Sequence, residues 1–112
     1  MTNSAQPDVA ADHRRIVLAV LRAQLPRATK AWVFGSRATG RARRYSDLDL
    51  AIDAGRRLTL DETASLAEAF DECDLPYRVD LVDWHAIDDG FRPLIAADRL
   101  PLGEAAPSRP AK

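Results

Sequence analysis

The stretch Gly35-Ser36-Arg37-Ala38-Thr39-Gly40-Arg41-Ala42-Arg43-Arg44-Tyr45-Ser46-Asp47-Leu48-Asp49-Leu50 decides how the whole chain reads. It follows the apolar run Ala31–Phe34, which stops at the glycine and reads as a short buried strand. Gly35 allows a tight turn and close approach of backbone to a ligand. Ser36 opens a short helix, whose first N–H groups and dipole favour a phosphate. Ten residues then separate Ser36 from Asp47-Leu48-Asp49. Leu48, Leu50 and Ile52 alternate there with Asp47, Asp49 and Asp53, the pattern of a half-buried strand. Period two puts Asp47 and Asp49 on one face.

Two carboxylates side by side repel unless a cation neutralises them. Oxygen ligands of this kind suit Mg²⁺, typically shared with substrate phosphates. Arg37, Arg41, Arg43 and Arg44 lie in the connection between turn and strand. The segment therefore offers a phosphate cradle beside a metal site, which is what phosphoryl or nucleotidyl transfer requires. A chance match of the four fixed positions in a chain of this length is on the order of 10⁻³.

Working outward, Tyr77–Val82 alternates again, with Val79 and Leu81 on one side and Arg78 and Asp80 on the other. Asp80 completes a set of three carboxylates. It is placed to bind a metal or to accept the proton of an attacking hydroxyl. Asp83 faces the opposite way. Upstream, Ile16, Val17, Val20, Leu21 and Leu25 form a helical stripe, with Asp12 as its expected N-cap and Pro26 as its stop. Thr59 and Glu62 have the spacing of a capping box. Behind them Leu60, Ala64, Ala67 and Phe70 are expected to line the buried face of a helix reaching about Asp74. A last helix near Phe91–Ala97, capped by Asp88-Asp89, and a strand near Leu100–Leu102 end the folded unit.

The order is thus α-β-α-β-α-β-α with a final short strand, an α+β domain. Strands with one apolar and one polar face imply a small sheet with helices packed on one face and the other left open. The folded unit is expected over residues 12–102, between flexible ends at 1–11 and 103–112.

Composition narrows the function classes. At 112 residues the chain is one domain. A hydrophobic content of 46% supplies a core, and a net charge of −1 argues against direct nucleic-acid binding through bulk charge. The longest apolar run, Ile16–Leu21, is too short to span a membrane. One cysteine excludes an internal disulfide, which fits a cytoplasmic protein. Charge is uneven: Arg27 to Arg57 holds eight basic and three acidic residues, Asp61 to Asp89 ten acidic and one basic. With the motif above, that reads as a cationic lip beside an acidic site.

Gly35-Ser36, ten residues, Asp47-x-Asp49 and then Asp80 resemble the minimal nucleotidyltransferases of the DNA polymerase β-like superfamily. The resemblance covers about 12–102. It implies the polymerase β-like nucleotidyltransferase fold, a mixed sheet, two Mg²⁺ ions and a nucleoside triphosphate, ATP, as donor. It also implies that Gly35, Ser36 and Arg37 bind the nucleotide. Asp47, Asp49 and Asp80 would be catalytic and hold the metals. Many small members pair with a HEPN-domain toxin as its antitoxin and add AMP to a tyrosine of that partner. Thr39 departs from relatives that carry Arg before the following glycine.

Other residues have plainer readings. Cys73 reads as a small buried hydrophobe, Trp32 as core and His13 as solvated. His85 reads as structural, since no carboxylate pairs with it at a telling spacing. Three functions stay open at this level: an adenylyltransferase acting on a partner protein, a non-catalytic antitoxin that masks its partner, and a small-molecule nucleotidyltransferase of the antibiotic-modifying kind.

Overall fold

Leu48, Leu50 and Ile52 are fully buried while Asp49 and Asp53 stand half-exposed, so the sequence alternation sorts the strand into two faces. The computed structural model describes residues 6–104. Its elements are α1 (Ala11–Gln24), β1 (Lys30–Phe34), α2 (Ser36–Thr39), β2 (Leu48–Asp53), α3 (Leu60–Glu72), β3 (Val79–Asp83), α4 (Arg92–Asp98) and β4 (Leu100–Glu104).

The strands form one mixed sheet in the order β3-β2-β1-β4. β1 runs antiparallel to both β2 and β4, while β2 and β3 are parallel. A parallel pair needs a crossover, and α3 supplies it. α1 and α3 lie on the same side of the sheet. Their Val17, Leu21, Leu66 and Phe70 join Ala31, Val33, Leu48, Leu50, Ile52 and Leu102 in one core. Burying each such large side chain contributes about 1.5–3 kcal/mol.

Local chemistry sets the helix ends. Leu25 is extended (φ −128°, ψ 164°) because Pro26 follows it, and there α1 stops. Thr59 and Glu62 form the expected capping box, each side chain bonding the other's backbone N–H.

Several expectations fail in instructive ways. Ala10, not Asp12, is the N-cap of α1. Asp12 lies inside the first turn, where its carboxylate accepts the His13 N–H. Leu60 is 88% exposed, and Ala64 and Ala67 are exposed as well. The buried stripe of α3 is Leu66 and Phe70, one turn apart. Phe91, not Asp88 or Asp89, is the N-cap of α4, and the Asp88 carbonyl accepts the Phe91 and Arg92 N–H groups. Trp32 is only half-buried and stands on the face away from α1 and α3.

On that second face the register aligns Phe34 with Asp49 and Trp32 with Ala51, then Asp49 with Asp80. The face is not left fully open, since α4 covers part of it. Ile95 of α4 is 2% exposed beside Phe34, and the Arg99 guanidinium stacks on Trp32 and Trp84. Two indoles at this level present apolar area that α4 and Arg99 remove from water. The ends also differ from expectation. Asp8 is hydrogen-bonded to Arg37, Val9 packs on the core, and β4 runs on to Glu104. The remainder of the expected flexible ends, 1–5 and 105–112, lies outside the described residues.

Candidate active site

β1 ends in the turn that builds the site. Gly35 adopts φ 74°, ψ −151°, a conformation only glycine holds without strain. The turn starts α2, a single turn closed at its far end by Gly40 in the left-handed conformation. A side chain at Gly35 has no room. Its Cβ would overlap the Asp49 carboxylate, which lies directly against the turn. The β1–β2 register explains this, since Phe34 pairs with Asp49.

Asp80 reaches the same place from β3, in register with Asp49 on the parallel neighbour. Asp49 carries the electrostatic mark of this crowding. Burial, then the charge of Asp80, then that of Asp47 push its carboxyl above the usual range. The fold therefore brings Gly35, Asp47, Asp49 and Asp80 to one locality. Among the described residues, Asp80 pairs with Arg78, whose Nη2 is 3.4 Å from its Oδ1. Among the described residues, no three carboxylate, histidine or cysteine side chains converge into a ready-made metal cage. Ser36 stands at the start of α2, and no protein hydrogen bond to its hydroxyl exists among the described residues.

A cavity of about 150 Å³ opens beside the turn, walled by Phe34, Gly35, Phe91, Leu94, Ile95 and Asp98. Along the 40–47 connection, which leads to Asp47, Arg41, Arg43, Arg44 and Tyr45 are exposed and form a basic stretch of surface.

A family of polymerase β nucleotidyltransferases matches residues 18–102, which span every element of this site. The chain belongs to the polymerase β nucleotidyltransferase family. It is 45% identical over 95 residues to a probable protein adenylyltransferase MntA of Haemophilus influenzae, covering 85% of this chain and 82% of that protein. It also resembles a crystal structure of a toxin–antitoxin with AMP-PNP, at TM-score 0.69 and 26% identity over 80% of this chain and 72% of the other. A tri-AMPylated Shewanella oneidensis HEPN toxin in complex with an MNT antitoxin gives TM-score 0.61 at 23% identity, over 80% and 68% of the two chains. That last likeness bears on fold alone.

Arg37, which the resemblance assigns to nucleotide binding, makes its contacts within the protein itself. It is buried, and its guanidinium is turned away onto main-chain carbonyls. Nε and Nη2 donate to Ser46 O at 3.1 and 2.9 Å, Nη2 also to Arg44 O at 3.2 Å, and Nη1 to Asp8 O at 2.8 Å. Its carbon stacks 4.0 Å over the Tyr77 ring. A guanidinium has five N–H groups, and here they serve the protein's own backbone.

Two histidines also differ from expectation. His13 is half-buried, with Nδ1 3.0 Å from the Tyr77 hydroxyl. His85 has a carboxylate partner after all, its Nε2 2.6 Å from Asp53 Oδ1. The two are 32 positions apart, and only the parallel β2–β3 register brings the strand ends together. Burial pushes Asp53 up, but the Gly55 N–H, the His85 ring and Lys30 outweigh it, and its carboxyl ends below the usual range. This pair sits at the other end of β2 from Asp49. Cys73 is half-buried, and burial raises its thiol, which suits packing rather than nucleophilic attack. Among the described residues, no helix is long and apolar enough to cross a membrane.

Proposed function

We propose that this protein is an Mg²⁺-dependent adenylyltransferase that moves AMP from ATP to a tyrosine hydroxyl of a HEPN-type toxin and serves as that toxin's antitoxin. The observation that carries the reading is the Asp49 carboxylate seated against the Gly35 turn with Asp80 in register beside it. Identity of 45% to a probable protein adenylyltransferase supports the same activity, and likeness to a toxin–antitoxin with AMP-PNP supports the donor class and the partner.

The donor set fits Mg²⁺. All three groups are hard carboxylate oxygens, and Asp49 is held in a charge-crowded state that a cation relieves. Mg²⁺ commonly takes its remaining ligands from triphosphate and water. Asp47, Asp49 and Asp80 are the residues that would hold Mg²⁺. When bound, Mg²⁺ supplies charge neutralisation at the triphosphate and at the acceptor oxygen.

The chain's own groups do the rest. The Gly35-Ser36 turn supplies a side-chain hydroxyl and close backbone to the triphosphate. Asp80 is placed to take the proton of the attacking hydroxyl. The acceptor oxygen forms a bond to the α-phosphorus, the bond from that phosphorus to the bridging oxygen of the β-phosphate breaks, and pyrophosphate leaves. The basic stretch of Arg41, Arg43 and Arg44 favours an anionic ligand nearby. An ATP donor and a lone unpaired cysteine support a cytoplasmic setting.

The test is direct. The purified protein, a candidate HEPN partner and MgATP are incubated, and both chains are weighed by intact mass spectrometry. A gain of AMP on the partner that needs Mg²⁺ and disappears in Asp49→Asn supports the proposal. Tight complex formation with no mass gain would leave the masking antitoxin as the function.

A further inference from the structure

Asp47 differs from Asp49 and Asp80 in lying outside the strands, at the end of the 40–47 connection. A ligand on a loop needs something to fix it. The residue before it, Ser46, has its carbonyl gripped by two arms of the Arg37 guanidinium. The residue after it, Leu48, donates its N–H to Arg78 O at 2.8 Å. Asp47 is therefore one residue suspended between two anchored backbone points.

The turn feeding it is also closed on itself. Ser46 N–H donates to Arg43 O, and the Ser46 hydroxyl accepts the Arg43 N–H at 2.8 Å. Arg37 adds its bond to Arg44 O within this same turn. The other end of Arg37 is fixed as well. Asp8 N–H donates to Arg37 O at 2.7 Å while Nη1 donates to Asp8 O, and Tyr77 lies under the guanidinium plane. Charge-assisted bonds of this kind are roughly twice as strong as neutral ones, and a planar fork fixes direction as well as distance.

We propose that Arg37 is a positioning residue for the metal site, holding Asp47 at its place beside Asp49 by gripping the Ser46 carbonyl. The inference rests on the reading of Asp47 and Asp49 as metal ligands. It assigns Arg37 no contact with nucleotide. A cation shared by two carboxylates is sensitive to their separation, because the second ligand contributes only if it arrives at bonding distance.

The test compares Arg37→Met and Arg37→Lys with wild type, using ATP with titrated Mg²⁺, at a temperature where circular dichroism shows each variant folded. Lysine keeps the buried charge but lacks the fork. For Arg37→Met, the Mg²⁺ needed for half-maximal ATP binding should rise at least tenfold, while the weak binding left in EDTA stays unchanged. Arg37→Lys should fall between. In an Asp47→Ala background the Arg37→Lys change should add nothing, because its route to the metal is gone. A purely structural role would instead lower the melting temperature and leave the Mg²⁺ dependence alone, or add its loss to that of Asp47→Ala. Either result, or the unfolding of both variants, overturns the proposal.

Amide hydrogen exchange separates this failure from failure of the metal site itself. With no ligand present, Arg37→Lys should speed exchange across Arg43–Leu48 and leave α3 protected. Wild-type protein that shows no Mg²⁺ dependence at all would overturn the metal-site reading. Unchanged exchange in that loop, with the wild-type Mg²⁺ dependence intact, would overturn the Arg37 proposal alone.

Discussion

Gly35 and Asp49 occupy one space: the carboxylate of the second stands where a side chain of the first would have to go. Gly35→Ala therefore meets two obstacles. The left-handed φ of 74° costs an alanine about 1–3 kcal/mol. The new methyl also displaces the Asp49 carboxylate. We expect a drop in melting temperature together with at least a tenfold loss of Mg²⁺-dependent ATP binding. Isothermal calorimetry with and without EDTA checks it. A lowered melt with wild-type MgATP affinity would mean the contact is incidental.

Asp49 should make the metal-free protein less stable at neutral pH. Its folded pKa lies above the ordinary carboxylate value, so the folded state holds the proton more tightly than the unfolded one. Stability from this group is therefore present at low pH and is lost as pH rises through the raised pKa. Asp49→Asn should melt higher than wild type at pH 7 without metal. The advantage should vanish below the unfolded value of 3.8, where both states are protonated. Adding Mg²⁺ and ATP should stabilise wild type but not the variant. Paired thermal melts over a pH series test each part.

The face that α3 buries gives a stability prediction. Leu66 is fully buried and Leu60 is 88% exposed. Leu66→Ala should cost about 2–5 kcal/mol. Leu60→Ala should stay within about 0.5 kcal/mol. Urea unfolding of the two variants reads the difference, and equal costs would put the helix in the wrong rotation.

The same helix shows what the sequence could convey. Strand β2 was legible because period two leaves little ambiguity over six residues. The Gly35-Ser36 turn was legible because few residue pairs stop a strand and start a helix so abruptly. α3 was half legible. Its capping box fixed the start, but alanines fit either face of a helix, and so Leu60, Ala64, Ala67 and Phe70 looked like a stripe. The contacts of Arg37 are hidden in the sequence for a similar reason. An arginine in a phosphate loop serves an anion and a backbone carbonyl equally well, and only the fold turns it toward Ser46. The His85–Asp53 pair left no local trace, because strand register alone creates it.

Asp80 separates a catalyst from a binder. It lies in register with Asp49 and adds to the repulsion that raises the Asp49 carboxyl. Asp80→Asn keeps the shape and removes the charge. Its ion-pair partner Arg78 has a side chain 78% exposed, so losing that pair costs little. Metal-free stability should therefore stay equal or rise, and MgATP binding should persist through Asp47 and Asp49. AMP transfer should fall by about 10²–10⁴, the usual range for a lost proton acceptor. Two further carboxylates on these strands are already engaged. Asp83 accepts the Leu58 and His85 N–H groups, and Asp53 is engaged by Gly55 and His85. Melting without metal, calorimetry with MgATP and mass spectrometry of the acceptor measure the three quantities separately. Wild-type transfer by Asp80→Asn would remove Asp80 from the reaction and leave the two carboxylates of Asp47 and Asp49 to carry it.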